Sequence, residues 1–167
     1  MRINSAGSTN INLLQSDQFT FRNQDFVVSQ QGAFFRGISL PATANEYSKG
    51  QLYNPSGSGI TIILDRVVIS TDQNGTISVS QSGNSLAGTS VNGVNQLMNG
   101  AGGSGDLESL SSAAAFLSGA MQIPIMANEP LQLPFQYPII IEEEDGFFFR
   151  PSAQNRELTA ALFWREV

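Results

Sequence analysis

Short apolar runs rich in β-branched residues, each cut off by Pro, Gly or Asn, constrain this chain more than any other feature. The clearest reads GITIILDRVVIS from Gly59 to Ser70. Residues of this kind favour a pleated, half-buried surface, and a run of this length followed at once by turn residues reads as a strand. Ala33–Leu40 is a second such run, stopped by Pro41, and Gln51–Tyr53 a third, stopped by Asn54-Pro55. Asp72-Gln73-Asn74-Gly75 then predicts a hairpin into Thr76–Gln81, since Asn-Gly suits the positive φ of a type I′ turn. Asp145-Gly146 predicts another, joining Pro138–Glu144 to Phe147–Arg150. Leu131–Leu133 lies between Pro130 and Pro134, and Leu158–Val167 closes the chain. In that last strand Leu158, Ala160, Leu162 and Trp164 share one face; Thr159, Ala161, Phe163 and Arg165 share the other.

About eight strands follow, which predicts an all-β fold: an antiparallel β-sandwich, jelly-roll-like. No repeat of 20–50 residues points to a solenoid or propeller. One short helix is expected near 106–117, where Asp106 can cap and Leu107, Leu110, Ala114 and Leu117 recur at helical spacing. Residues 82–105 are mostly Gly, Ser and Asn, and no charge occurs between Asp72 and Asp106. They read as a long loop, part of an insertion spanning 82–130. Residues 1–30, polar apart from anchors such as Phe19, Phe21 and Phe26, read as an extended N-terminal arm on a single domain at 31–167. At 167 residues the chain can bury a sizeable core without disulfides, and it has no Cys.

Composition narrows the chemistry. His is absent, which removes the commonest general base and metal ligand. A Ser nucleophile would need Lys49, the only lysine, and no S-x-x-K pattern leads to it. Glu142-Glu143-Glu144-Asp145 could offer oxygens to Ca²⁺, or two carboxylates to a glycosidic bond, but no EF-hand spacing or cleft signal accompanies them. A solvated hairpin tip that keeps an edge from pairing is the simpler reading. Gly57-Ser58-Gly59 lacks the ending of a phosphate loop, and Asn74-Gly75-Thr76 matches a glycosylation acceptor whose Asn-Gly the turn already explains. Arg150 and Arg165 adjoin aromatics and can pack on them. The expectation is a non-enzyme without cofactor or metal. With 8 basic against 14 acidic residues, net charge −6 and no basic cluster, neither nucleic acid nor an anionic membrane is an expected partner. No apolar run reaches the length of a membrane span.

Several strands are apolar on both faces, as in Ile62-Ile63-Leu64, Ile139-Ile140-Ile141, Phe147-Phe148-Phe149 and Phe34-Phe35. Such strands must be covered twice, by the core and by either another part of the chain or a second subunit. Phe34, Ile63, Val67, Ile140, Phe148 and Phe163 are the interface candidates this predicts.

Two segments carry a family likeness. Leu52-Tyr53-Asn54-Pro55-Ser56-Gly57-Ser58-Gly59, feeding the strand from Ile60, resembles a turn phrase of small β-sandwich proteins in tailed-bacteriophage particles. The closing region, Pro138–Ile141, Glu144–Phe149 and Leu158 through Phe163-Trp164-Arg165-Glu166, is similar to the way such proteins end. The likeness covers about a third of the chain. It implies a virion protein, often trimeric, whose partners are copies of itself and either the major capsid protein or tail proteins. A head decoration (cement) role with the arm as a clamp is the first expectation. A tail-associated adaptor, fibre or glycan-binding receptor module is the alternative. A cellular adhesin domain is a third, for which no signal peptide is seen.

Overall fold

The computed structural model describes residues 32–96, 100–114, 120–133, 135 and 137–167; the expected arm at 1–30 lies outside them. The described residues contain strands and no helix. Two six-stranded sheets are formed. Sheet A holds β1 (Ala33–Leu40), β3 (Ile62–Ser70), β6 (Val94–Asn95), β9 (Leu131–Gln132), β10 (Ile139–Ile141) and β12 (Leu158–Glu166), in the order β10-β3-β12-β1-β6 with β9 also on β3. Sheet B holds β2 (Tyr47–Tyr53), β4 (Gly75–Ser82), β5 (Thr89–Asn92), β7 (Asp106–Ser112), β8 (Met121–Ile125) and β11 (Gly146–Pro151), in the order β5-β7-β2-β11-β4-β8. The pairings between named strands are antiparallel. Inner faces meet in one core, with Leu64, Ile69, Leu162 and Trp164 from sheet A against Leu52, Ile77, Phe147 and Phe149 from sheet B. The β-sandwich expected from the strand pattern is what these sheets form.

The chain crosses between sheets where hairpins are expected. β3 and β4 lie in different sheets, as do β10 and β11, so neither Asn74-Gly75 nor Asp145-Gly146 turns a hairpin. Neither Asn74 nor Gly75 has a positive φ; at the second corner it is Glu144 that does, at 63°. Tertiary partners hold the first corner. The Arg156 guanidinium donates to the carbonyls of Gln73 and Asn74, Asn74 Oδ1 accepts from the Ala127 amide, and Asp72 accepts from the Glu157 amide. Turn residues suit any sharp reversal, and the local sequence does not say which sheet the next strand joins.

β3 corrects part of the reading of a strand apolar on both faces: Ile63 keeps its outward place, but Val67 and Ile69 do not. Phe163 pairs with Arg66 and Trp164 with Leu64, leaving Asp65 as an extra residue. This β-bulge shifts the side-chain alternation by one. Ile62 and Leu64 before it, and Val67 and Ile69 after it, therefore all point into the core with no exposed surface. Asp65 and Arg66 face outward together.

The expected helix near 106–117 is replaced in its first part by β7, and residues 115–119 lie outside the description. Leu107 is buried opposite Leu52 and Val91, and β2 and β5 pair with it on either side. Two ladders outweigh a helical spacing that the serines in this stretch support poorly. The 82–105 loop is also partly ordered, since β5 and β6 extend the two sheets beyond β7 and β1. Its glycines permit close packing. A Cβ at Gly93 would strike the Trp164 ring and one at Gly105 would lie 2.6 Å from Ile62. Glu166 pins the same stretch by accepting from the amides of Ser104 and Gly105 and from the Trp164 indole.

Candidate interaction surface

The outer face of sheet A is built from the outward residues of its central strands. Phe35 on β1 pairs with Phe163 on β12 and with Val94 on β6, and Arg66 lies beyond Phe163 on β3. The Phe35 and Phe163 rings stack at 6.3 Å, and the Arg66 guanidinium sits 3.9 Å from the Phe163 ring centre. This lays a row of apolar and aromatic groups across the sheet, capped by a cation. Phe35 is 42% exposed and Val94 40%. The next row, Val68, Ala161 and Gly37, has small side chains and forms a shallow trough beside the aromatics. On the other side, Ile140, Ile63 and Arg165 make a third row. Arg165 there holds Asp65 through two 2.8 Å hydrogen bonds, which raise its pKa above the ordinary value.

Three expected interface residues meet on this face: Ile63 and Phe163 are partly covered and Ile140 is 63% exposed. The other three are corrected. Phe34 points inward and stacks on Trp164 at 6.1 Å; its neighbour Phe35 is the one that reaches the surface. Val67 is turned into the core by the bulge. Phe148 lies on the outer side of sheet B but is 1% exposed within the chain itself. Phe35 and Val94 were missed. Strand parity relative to Trp164 identifies Phe35 once β1 is paired with β12, whereas nothing local marks Val94 as a strand residue.

The outer side of sheet B is polar and covered. Lys49, Gln51, Glu108 and Arg150 are all buried there beside Phe148. Lys49 Nζ donates to the Ser112 hydroxyl, Gln51 Nε2 donates to the Asn84 carbonyl, and Glu108 accepts from the Ser85 hydroxyl and the Leu86 amide. Arg150 lies over the Tyr47 ring at 4.4 Å. Burial, and then the charge of Arg150, push the Lys49 pKa down, with Glu46 opposing. Burial also lowers Arg150 and raises Tyr53, whose shift is reinforced by Glu144, Glu108 and Asp145. Arg150 also donates to the Pro151 carbonyl, whereas Arg150 Nε, Gln51 Oε1 and the Ser80 hydroxyl are buried without a hydrogen-bond partner among the described residues.

A cleft of about 300 Å³ opens between the sheets where β10 faces β4 and β8. Phe135 and Phe147 meet edge to face in its wall, and Met121 and Ile140 stand exposed at its mouth. The adjoining carboxylates serve the turns around them. Glu142 accepts from the Thr61 hydroxyl, Glu143 from the Gly59 amide and Asp145 from Gln81. Among the described residues no three Asp or Glu side chains gather as a metal site would require. No protein-family model, curated protein or solved structure matches the chain.

Proposed function

We propose that this chain is a structural protein of a bacteriophage virion, a capsid decoration (cement) protein that assembles with copies of itself, as a trimer, through the outer face of sheet A. The row Val94, Phe35 and Phe163, in which Val94 and Phe35 are exposed, carries the reading, with Ile63 and Ile140 on the same face beyond the Arg165–Asp65 pair. A contiguous apolar patch on a folded domain marks a contact surface, and closed homo-oligomers are the usual way such patches are covered.

The strand order supports a jelly roll within the sandwich. β10-β3-β12-β1 facing β2-β11-β4-β8 is the wrapped order of an eight-stranded jelly roll, with β5, β6, β7 and β9 as additions. This fold serves viral capsids, lectins and cupins. A cupin's usual histidine ligands are missing from this sequence. A glycan-reading loop would need free polar groups, and the amides of Ser104 and Gly105 are already held by Glu166. The resemblance of the Asn-Pro turn and of the closing strands to phage particle proteins favours the remaining role.

Light scattering of the purified chain tests the assembly: a trimer is expected, reduced to monomer by Phe35→Asp. A monomer at micromolar concentration would remove the self-assembly. Immunogold labelling of phage particles tests the location, and label on tails instead of heads would replace the decoration role.

A further inference from the structure

We propose that the cleft between β10 and the β4–β8 edge is the docking site of residues 19–28 of this protein, with Phe19 or Phe21 as the anchor and Arg22 at the rim. The cleft is the right kind of receptor. It is lined by apolar and aromatic groups, Phe135, Phe147, Ile139 and Val79 among them. At about 300 Å³ it has room for a pair of aromatic side chains, and it lies at the low end of pockets that accept small ligands, about 300–1,000 Å³.

Three observations point to this occupant. The first is reach. Gly32, where the described chain begins, shares a row with Glu166, Ile62 and Ile141, and Ile141 lines the cleft. Three strand spacings of about 4.8 Å separate the two ends of that row. An extended chain gains about 3.3 Å per residue, so the ten residues between Phe21 and Gly32 more than span the gap.

The second is chemistry. Residues 1–30 are polar except for few anchors, and Phe19-Thr20-Phe21 would put two rings on one side of an extended segment. The third is charge. Asp145 lines the cleft beside Glu142, Glu143 and Glu144, and Arg22 directly follows the two Phe residues. The proposal does not depend on the virion reading, since the segment and its receptor belong to one chain.

A photo-crosslinking amino acid in place of Met121, 55% exposed at the mouth of the cleft, tests it in the full chain. Irradiation followed by peptide mass spectrometry is expected to yield adducts with residues 17–28. The double variant Phe19→Ser/Phe21→Ser should lower that yield about tenfold, as loss of a buried aromatic anchor does to an occupancy. Arg22→Glu should lower it as well. Neither variant alters a residue of the two described sheets, so circular dichroism should stay unchanged. Mixing heavy and light copies assigns the segment to the same or an adjoining chain, and either result supports docking. Adducts confined to other segments, or a yield insensitive to the Phe substitutions, would overturn it.

Discussion

Gly50 sits on β2 facing the core, and a Cβ there would collide with the Phe149 ring and with Ile38. Ordinary strand propensity would favour almost any other residue at a strand interior. Gly50→Ala is therefore expected to destabilise the fold by about 1–3 kcal/mol, the cost of overpacking a dense core, as read by urea unfolding. Lys49, its neighbour, makes a prediction in pH. Its pKa is lowered in the folded chain by burial first and Arg150 second. The unfolded chain then holds more protons on this residue than the folded one as pH approaches the ordinary lysine value of 10.5. Stability from this group thus rises with pH up to that value and is smallest where Lys49 is charged in both states. The stability of the native chain relative to Lys49→Met should increase between pH 8 and pH 10; a flat difference would mean the burial carries no cost.

At the scale of strands, the Asp65 bulge separates two effects that a substitution alone would merge. Asp65→Ala removes a part-exposed ion pair with Arg165 and should cost about 0–1 kcal/mol. Deleting Asp65 would remove the extra residue, pair Leu64 and Arg66 with Trp164 and Phe163 as consecutive rungs of a regular ladder, and keep Ile62, Leu64, Val67 and Ile69 all facing the core. That deletion should keep cooperative thermal unfolding and melt close to Asp65→Ala, whereas loss of the cooperative transition would show that the fold needs the local twist of the bulge itself. The bulge also shows where the sequence was legible. Strands β1 and β12 could be read almost to the residue, because Leu158, Ala160, Leu162 and Trp164 alternate cleanly with their neighbours. In β3 the adjacent charges Asp65 and Arg66 inside an apolar run were the visible sign of re-phasing, and the parity argument passed over them. The short strands β5 and β6 had no local signal: Gly93 between them packs on Trp164 and Phe34, and Asn95 pairs with Phe34, partners that are distant in sequence. β7 reads as a helix for the same reason: its ladder partners decide its form.

Across the whole molecule the two sheets differ in what their outer faces offer. Sheet B closes its polar residues beneath cover, while sheet A leaves Phe35, Val94 and Ile140 open. Replacing Phe35 and Val94 together by Asp removes the Phe35–Phe163 stack and sets two like charges opposite each other, so it should cost the isolated fold about 1–2 kcal/mol without unfolding it. The same pair should eliminate self-association measured by sedimentation. Unaltered association would move the contact off sheet A. The candidate surface was half legible in the sequence: Ile63, Ile140 and Phe163 follow from apolar pairs, whereas Phe34, Val67 and Phe148 needed the sheet partners to reveal that they point elsewhere or are covered.

β12 runs down the middle of sheet A, between β1 and β3. It follows every other described strand in sequence, so β1 and β3 are made long before the strand that joins them exists. Sheet A therefore cannot assemble while the chain is still being translated through residue 157, and the early strands must wait with their apolar faces unpaired, the situation that slows folding and invites aggregation. Trp164, the only tryptophan, lies within β12 and is buried, so its fluorescence records the moment at which β12 enters the sheet.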